Sequence, residues 1–447
     1  MQKTIHEEKS LPVETTHEGA EAQRITAVQQ LKRSVLGCFL WESEFYEGGE
    51  DISARISSLV PQVDPDVVAA IAIEAREKMH LRHVPLLLCA EMAGHETHRP
   101  YVADTVERVI QRPDELTEIL AIYARNRTGA KKLNRLSKQL QIGIARAFQK
   151  FSEYSLAKYD RKREIRLRDA LFLSHAKPKD EHQADLWKRL IGGELEPPDT
   201  WEVAISAAKG AEAKKAEWER LLAKNKLGGL ALLRNLRNMQ QAGIPDGMIA
   251  AEIATANFSR VLPFRFFAAA THAPSLQPAL EEAMFWALAE LPKLPGRTVL
   301  CIDHSGSMDV TMSRKSDLTR FSAAMALSVM CREVCENVKI ISFNDQAVVV
   351  KDGHGFELGS NILKSQDWGL TVIQSAIDLA QKTLSFDRMI VFTDEQSKTV
   401  IGPPGCNRGY LVNVASAKNG ISYGDGWHHI DGFSENIISY IAEFEKL

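Results

Sequence analysis

Residues 291–308 read LPKLPGRTVLCIDHSGSM, and this stretch divides the chain into two parts with different patterns. Its first six residues, 291–296, are rich in Pro and Gly, which interrupt regular structure. The short apolar run that follows, residues 298–303, is typical of a buried strand. We therefore predict an all-helical domain before this linker and an α/β domain after it.

The region before the linker has apolar residues at intervals of three and four over residues 24–291, as in Ile52, Ile56, Leu59 and Val60. This spacing is typical of amphipathic helices. The region is too long for one simple bundle, and about six or seven stacked helix pairs of HEAT or armadillo size would fill it. We find no clean sequence repeat, so the stacking rests on length and on the family resemblance described below.

The region after the linker alternates short apolar runs with helical segments. This alternation predicts a doubly wound, Rossmann-like, mostly parallel sheet, in which ligand sites lie beyond the carboxyl ends of strands. We assign residues 353–355, Gly-His-Gly, to a hairpin turn. The predicted strands are residues 298–303, 338–343, 347–351, 388–393, 410–415 and 427–430, and the predicted helices are residues 318–335, 371–384 and 435–444.

Composition places the chain among ordinary globular proteins. Its 447 residues suffice for two to four domains, and its net charge of −3 does not by itself indicate a nucleic-acid partner. We find no apolar run of membrane-spanning length and expect no membrane partner. Residues 1–23 are polar and lack the apolar core of a signal peptide, so we expect a disordered tail and a cytoplasmic protein. The six scattered cysteines fit reduced thiols.

Positive charge is concentrated in residues 124–168, which we call the basic segment. It contains fourteen Lys and Arg residues and three acidic residues, a net charge of +11. Such a concentration indicates a surface for a polyanion, because Lys and Arg can neutralise phosphates without reading sequence. Tyr154 and Tyr159 could stack on bases, whereas Phe151 has the spacing of a core residue. The alternative is a solvated basic helix face.

Oxygen-bearing side chains follow three predicted strands or loops. Asp303, Ser305 and Ser307 follow the first strand, Thr371 begins a later helix, and Asp394 ends the strand 388–393. Carboxylates and hydroxyls are hard ligands that suit Mg²⁺ or another hard divalent cation. Five such groups leave one coordination position open for an external acidic ligand. The alternative is that these residues cap the helices that follow the strands.

Catalytic motifs are absent from the sequence, so we expect no enzymatic activity. We find no Gly-x-Ser-x-Gly elbow, no phosphate-binding loop and no dinucleotide-binding glycine motif. Two His-x-x-His pairs superficially suggest zinc, but no cysteine accompanies them and we do not assign a zinc site. These pairs are His80 with His83 and His95 with His98.

Residues 156–178, LAKYDRKREIRLRDALFLSHAKP, resemble the signature block of the Ro (TROVE-domain) RNA-binding family. In that family a Lys-Tyr-Arg run leads into Asp-Leu-Leu-Arg-Leu-Ser-His-x-Lys-Pro. Residues 45–49, 230–239 and 263–266 match further blocks of the family. Residues 297–447 resemble a von Willebrand factor A domain with its metal-ion-dependent adhesion site. The chain lacks the family's Trp-Ser-His before the signature block, and it has Leu370 where many A domains have Gly.

The resemblance implies a HEAT-like helical ring, or toroid, over residues 24–291, followed by the A domain. Y RNA would lie on the outer basic surface of the ring, and single-stranded ends of defective RNAs would enter its hole. Lys158, Lys162 and His175 match positions at which the family contacts Y RNA. The full set that we assign to RNA binding is Lys131, Lys132, Arg135, Lys158, Arg161, Lys162, His175 and Arg234.

Two main functional hypotheses remain open from the sequence, and a third, a nuclease that uses the Mg²⁺ site, is disfavoured because only Asp303 and Asp394 pair there without an evident general base. The first is a monomeric RNA-binding scaffold of a small ribonucleoprotein in RNA quality control or processing. Its partners would be small noncoding RNA, single-stranded RNA ends and a protein, such as an exoribonuclease, at the A domain. The second is a metal-dependent adhesion module with a protein-binding helical solenoid. The basic segment favours the first hypothesis, since a protein-binding solenoid does not need a net charge of +11 in so short a stretch.

Overall fold

The computed structural model describes residues 15–16, 19–21, 26–36, 49–128, 136–161, 164–259, 261, 264–289, 291–311, 318–415, 420–421, 426–431 and 436–445. Within these ranges the first part of the chain is helical, as predicted. None of the described helices has the length and apolar character needed to cross a membrane. The helices are α1 (Ala27–Leu36), α2 (Gly49–Leu59), α3 (Pro65–Glu77), α4 (His83–Met92), α5 (Arg99–Val109), α6 (Pro113–Thr128), α7 (Lys138–Phe148), α8 (Glu153–Tyr159), α9 (Leu167–Ser174), α10 (Glu181–Gly192), α11 (Trp201–Ala207), α12 (Ala211–Ala223), α13 (Gly229–Gln241), α14 (Asp246–Thr255), α15 (Phe264–His272) and α16 (Gln277–Ala289).

The short helices α9 and α10 begin and end at residues that the sequence supplies as caps. The backbone N–H of Arg166 donates to Asp169 Oδ2 (2.8 Å) at the start of α9, and the backbone N–H of Gln183 donates to Asp180 Oδ1 (2.7 Å) at the start of α10. Each bond satisfies a donor that a helix start would otherwise leave unpaired. Helix α9 ends at His175 and α10 at Gly193, both in the left-handed region that terminates helices.

Two hydrophobic cores divide the helical array. Helices α1 to α10 enclose one core, which extends from Leu31 to Leu190. Helices α12 to α16 contribute to a second core, which continues into the α/β domain without a break. Part of the predicted linker at residues 291–296 is strand and not loop. Leu294 already belongs to the first strand and shares the second core with Leu288, because the linker's two leucines are as apolar as the helices before them.

The α/β domain is a six-stranded sheet with the strand order β3-β2-β1-β4-β5-β6, in which only β3 is antiparallel to its neighbour. All six predicted strands are present, and the doubly wound fold is confirmed. Strand order reverses between β1 and β4, which defines the switch point of such a sheet. The elements are β1 (Leu294–Asp303), α17 (Arg320–Val334), β2 (Cys335–Phe343), β3 (Ala347–Val349), α18 (Gly355–Leu363), α19 (Ile373–Thr383), β4 (Arg388–Thr393), β5 (Gly409–Asn413), β6 (Trp427–Asp431) and α20 (Asn436–Phe444).

The hairpin turn that we predicted at residues 353–355 is wrong, because residues 353 and 354 lie between β3 and α18 and Gly355 is the first residue of α18. The helix begins at Gly355, where Glu281 of α16 accepts a hydrogen bond from the backbone N–H of Phe356 (2.7 Å). Gly355 has a φ of +49°, and a Cβ there would lie 2.0 Å from the Glu281 carboxylate. Only glycine fits this approach. The capping partner is 75 residues away in sequence, so the local pattern could not indicate it.

The helical array contacts the α/β domain at both of its ends. At the carboxyl end, α15 and α16 pack against α17, and α16 also contacts α18. At the amino end, α1 contacts β6. There Arg33 forms an ion pair with Glu395 (2.7 Å), and His429 Nε2 lies 2.6 Å from the other Glu395 oxygen. We call these three residues the ring clasp, because they join the two ends of the chain into a closed ring.

Two residues of the predicted disordered tail, Thr16 and Ala20, also contact the α/β domain. Residues 15–16 and 19–21 are described, and the Thr16 hydroxyl donates to the backbone carbonyl of Ser397 (2.8 Å). Ala20 is buried in the core beneath α19. For these residues the structure differs from the expectation of disorder, because Thr16 and Ala20 are buried. The surrounding tail sequence is polar, and that polarity produced the expectation.

The ring clasp leads to a prediction about stability. Burial alone raises the pKa of Glu395, but the charges of Arg33 and His429 outweigh it, and the pKa is lowered. Arg33→Met would leave a buried carboxylate without its main partner, which costs about 3–5 kcal/mol. The loss should be full at pH 7 and should shrink as the pH falls below about 4, since a group with a lowered folded pKa stabilises only while it is ionised.

Urea unfolding at pH 7 and at a pH below about 4 would measure the loss of stability. Hydrogen exchange of the α1 amides would measure it at the helix that carries Arg33. The matched control is Arg108→Met, which breaks an exposed pair with Glu77 and should cost about 0–1 kcal/mol. An Arg33→Met variant that is no less stable than this control at pH 7 would show that the ring clasp does not hold the ring closed.

Candidate functional site

The candidate metal site lies at the carboxyl end of β1. Asp303 is fully buried, its Oδ1 accepts the backbone N–H of Ser305 (3.0 Å), and its Oδ2 accepts the hydroxyl of Thr393 (2.5 Å). The hydroxyls of Ser305 and Ser307 lie 3.1 Å apart. The structure therefore places three of the five predicted ligand residues, Asp303, Ser305 and Ser307, in one group at the end of β1. Thr393 belongs to the same group, although the sequence pattern did not single it out.

The other two predicted ligand residues lie on the neighbouring loops. Gly306 donates to the carbonyl of Gly369 (3.0 Å), which holds the loop before Thr371 against the Ser305 loop. Thr371 is buried, and its carbonyl accepts the N–H of Lys398 (2.7 Å). Asp394 follows β4, the strand that pairs with β1. All five residues thus gather at the switch point of the sheet, where ligands of such folds bind.

Electrostatics at this site favour a bound cation. Burial and the nearby charge of Asp394 raise the pKa of Asp303 to about 7. Arg320, buried at the start of α17, places its Nη1 3.6 Å from Asp394 Oδ2 and supplies one positive charge. Sequence reasoning missed Arg320 because a search for oxygen ligands passes over guanidinium groups. Two carboxylates against one guanidinium leave the site acidic.

The donor set fits a hard divalent cation such as Mg²⁺. Carboxylates and hydroxyls meet at one buried point, and the Ser305 side chain caps no helix, which removes the helix-cap alternative for that residue. Leu370, where many A domains have Gly, does not remove the tight turn. The close contacts fall on Gly369 instead, where a Cβ would lie 2.6 Å from Asp345. A metal-ion-dependent adhesion site remains a prediction that these residues could satisfy.

A cation that binds only the folded chain must stabilise it by mass action. We therefore expect millimolar Mg²⁺ to raise the melting temperature of the wild type by at least about 2 °C over chelator-treated protein. Asp303→Ala should lose this dependence, whereas Asp309→Ala, which removes an exposed carboxylate on the same turn, should keep it. Calorimetric melts measure both effects. A wild type indifferent to Mg²⁺ would contradict the site.

The described RNA-binding candidates of the signature block lie at the end of α8 and at the end of α9. Lys158 and Arg161 are at the end of α8, which is joined to the start of α9 by the ion pair between Arg166 and Asp160 (3.3 Å). His175 is exposed at the other end of α9, with a φ of +50°. Helix α9 has eight residues and is therefore about 12 Å long.

Part of the basic segment stabilises the array instead of facing solvent freely. Arg146 pairs with Asp104 (2.7 Å), and the Lys150 ammonium donates to the carbonyls of Glu107 and Ile110 at the end of α5. These cations complement the negative carboxyl end of a helix. Lys131, Lys132, Arg135 and Lys162 lie outside the described residues.

Arg234 lies apart from the basic segment. It is exposed on α13, which packs against α14 and α15 in the second core, whereas α8 and α9 belong to the first. Burial and then the charge of Arg234 lower the pKa of Arg265 on α15. The structure therefore brings Arg234 close to Arg265 and not to the candidate residues of the signature block. Sequence reasoning missed this second pair of cations, because the two residues are far apart along the chain.

Aromatic residues near α9 differ in availability. Phe151 is buried, as its spacing predicted, and the Tyr159 ring lies beneath the Arg112 guanidinium (4.6 Å). Phe172 is 57% exposed and lines a cavity of about 390 Å³ together with His175 and Trp187. We call it the His175 cavity. Phe172 was missed in the sequence because it occupies an apolar position in a helical pattern.

An exposed ring beside a candidate phosphate-binding histidine can stack on a base. Phe172→Ala should weaken RNA binding about fivefold or more, since base–aromatic stacking contributes about 1–3 kcal/mol. Tyr101→Ala, which removes an exposed aromatic ring on α5, is the control and should leave affinity unchanged. Filter binding with a labelled RNA hairpin would measure this. Equal affinities for the two variants would exclude Phe172 from the interface.

The histidine pairs do not form a metal site. His98 lies with its Nε2 3.1 Å from the carbonyl of Val63, and His83 faces Glu118 (3.6 Å). In the part of the chain that the structure describes, no three His, Cys, Asp or Glu residues gather as a metal-binding group. The site at Asp303 is of a different kind, with two carboxylates and several hydroxyls.

Comparison with known proteins agrees with this architecture. The TROVE domain family model matches residues 4–193 and 188–336, and the overlap of the two matches coincides with the change from the first core to the second. A crystal structure of the Deinococcus radiodurans Ro (RSR) protein matches 94% of this chain and 100% of that chain, with a TM-score of 0.62 and 19% identity. That likeness shows the fold, a helical ring with a von Willebrand A-like domain. Comparison with curated protein sequences finds no significant match. Since the family model matches well over half of its residues, the chain belongs to the TROVE-domain family of Ro-like, RNA-binding proteins.

Proposed function

We propose that this protein is the RNA-binding scaffold of a small ribonucleoprotein in RNA quality control or processing. It would bind structured, Y-like noncoding RNA on the surface formed by α8 and α9, and single-stranded RNA ends in the ring. The observation that carries this proposal is the placement of Lys158 and Arg161 at the end of α8 and of His175 at the end of α9, within the block that most resembles the family signature.

These residues are available to phosphate. Arg161 and His175 are exposed, and Lys158 is half-buried. Among the described residues neither Lys158 nor Arg161 has an acidic partner, whereas Arg146 and Arg166 do. A cation without an acidic partner can neutralise a phosphate and release its counterions, which supplies affinity that does not depend on sequence. The His175 cavity beside them would add contact with an unpaired base.

We propose binding rather than catalysis. Among the described residues, the carboxylates assigned to the candidate metal site are Asp303 and Asp394, and Arg320 already faces one of them. A two-metal mechanism of RNA cleavage needs further acidic ligands and a group that activates water. The α/β domain would instead use Mg²⁺ to hold an acidic side chain of a protein partner, such as an exoribonuclease.

A second candidate function is a metal-dependent adhesion module. It is favoured by Trp368 and Leu370, which are 41% and 46% exposed on the loop that borders the candidate metal site. Exposed apolar side chains beside a metal would suit a protein partner. The adhesion module alone leaves the cations of α8 unexplained, so we place it second.

The double variant Lys158→Ala/Arg161→Ala tests the RNA-binding proposal. Affinity for an RNA hairpin should fall, and the slope of log K against log salt should become shallower by about 0.7–0.9 for each phosphate that the variant no longer neutralises. Thermal stability should hardly change, because neither cation has an acidic partner among the described residues and cations at the surface contribute little to stability. Titrations at several salt concentrations measure the affinity and the slope.

The matched control is Lys339→Ala/Arg297→Ala, which removes two exposed cations of the α/β domain, each paired with an aspartate. Its RNA affinity and salt dependence should equal those of the wild type. A hairpin affinity that is insensitive to salt, or equally weakened by both double variants, would contradict binding through α8 and α9.

A further inference from the structure

A second cavity lies among α11, α12 and α13, in the part of the array that shares its core with the α/β domain. Its volume is about 520 Å³, within the range of ligand-binding pockets. We call it the Trp201 cavity. It belongs to neither the α8–α9 surface nor the candidate metal site. Its lining residues include two tryptophans, three side-chain amides and one lysine.

The tryptophans form a rigid aromatic wall. Trp201 of α11 and Trp218 of α12 are stacked, with ring centroids 6.2 Å apart and planes 20° from parallel. Trp218 is 2% exposed and packs in the second core, so it fixes the plane of Trp201. Trp201 is only partly buried and lines the cavity. A fixed, accessible indole is a surface on which a nucleobase can stack.

The amides of α13 add hydrogen-bonding groups along the same cavity. Asn235 is buried and satisfied, since its Nδ2 donates to the carbonyl of Ala231 (2.8 Å) and its Oδ1 accepts Nδ2 of Asn238 (3.0 Å). Asn238 is thereby oriented, and its own Oδ1 accepts no hydrogen bond from a described residue. Gln241, one turn further along α13, is exposed at the rim. Such amides can pair with the edge of a base, best with adenine.

The charge of the lining is complementary to a nucleotide. Lys214 of α12 is the single charged lining residue among those described, and it is exposed. No carboxylate of the described residues lines the cavity. A wholly apolar ligand would gain nothing from the amides, whereas a base with its phosphate would use the ring, the amides and the cation together.

We propose that the Trp201 cavity binds one unpaired purine nucleotide of single-stranded RNA. The base stacks on Trp201, Asn238 and Gln241 bond to its edge, and Lys214 pairs with its phosphate. The proposal rests on RNA binding as the function. It adds a site that selects an unstacked base, whereas the α8–α9 surface would bind the phosphates of a structured RNA.

The test uses the full chain and fluorescein-labelled hexamers of adenylate and uridylate, followed by fluorescence anisotropy. Trp201→Leu should weaken binding of the adenylate hexamer about fivefold or more. The control, Trp286→Leu, removes a tryptophan that is 71% exposed on α16 and should have no effect. Gln241→Ala and Lys214→Gln alter only exposed side chains, so they should weaken binding without affecting the fold. The exposed Lys209 lies outside the cavity, and Lys209→Gln is the control for Lys214.

The wild type should bind the adenylate hexamer more tightly than the uridylate hexamer. Equal affinity for the two hexamers, or equal behaviour of Trp201→Leu and Trp286→Leu, would overturn the proposal. Affinity for a hairpin should be the same in all these variants. Failure of RNA binding as the function would appear differently, as loss of hairpin binding in the wild type, so the two failures are distinguishable.

Discussion

The closed ring depends on one buried ion pair, Arg33 with Glu395. Both side chains are removed from water, and each would be costly without the other. A buried pair of this kind adds little net stability, but it strongly selects the one arrangement in which both charges are neutralised. The first helix can therefore dock at β6 in a single register.

The ring clasp and the candidate metal site share one turn of backbone. The Thr393 hydroxyl donates to Asp303 and accepts the N–H of Glu395 (3.1 Å), so one side chain contacts both sites. Glu395 has a φ of +60°, a conformation that a non-glycine residue adopts only when its surroundings hold it. Asp394 stands between them in sequence. A change of charge at Asp394 in the candidate metal site therefore occurs next to Glu395, the residue at which the ring clasp closes the ring.

The local sequence pattern was sufficient to predict the features that depend on neighbouring residues. Each strand is a short apolar run, so all six were predictable, and the shared edge of parallel strands predicted that Asp303 and Asp394 would meet. The failures involve partners distant in sequence. Glu281 at the start of α18 and Arg33 beside Glu395 look like ordinary helix residues, because nothing nearby reveals their partners. The Trp201 cavity escaped notice for the same reason, since three helices form it.

The division into two cores has a consequence for how the ring is made. Helices α1 to α10 have a core of their own and can fold while the ribosome is still synthesising the rest, as domains generally do. Arg33 is translated early, but Glu395 and His429 emerge near the end. The contact of α1 with β6 can therefore form only after the last strands of the sheet have been made, so the closing of the ring is the final step of its assembly.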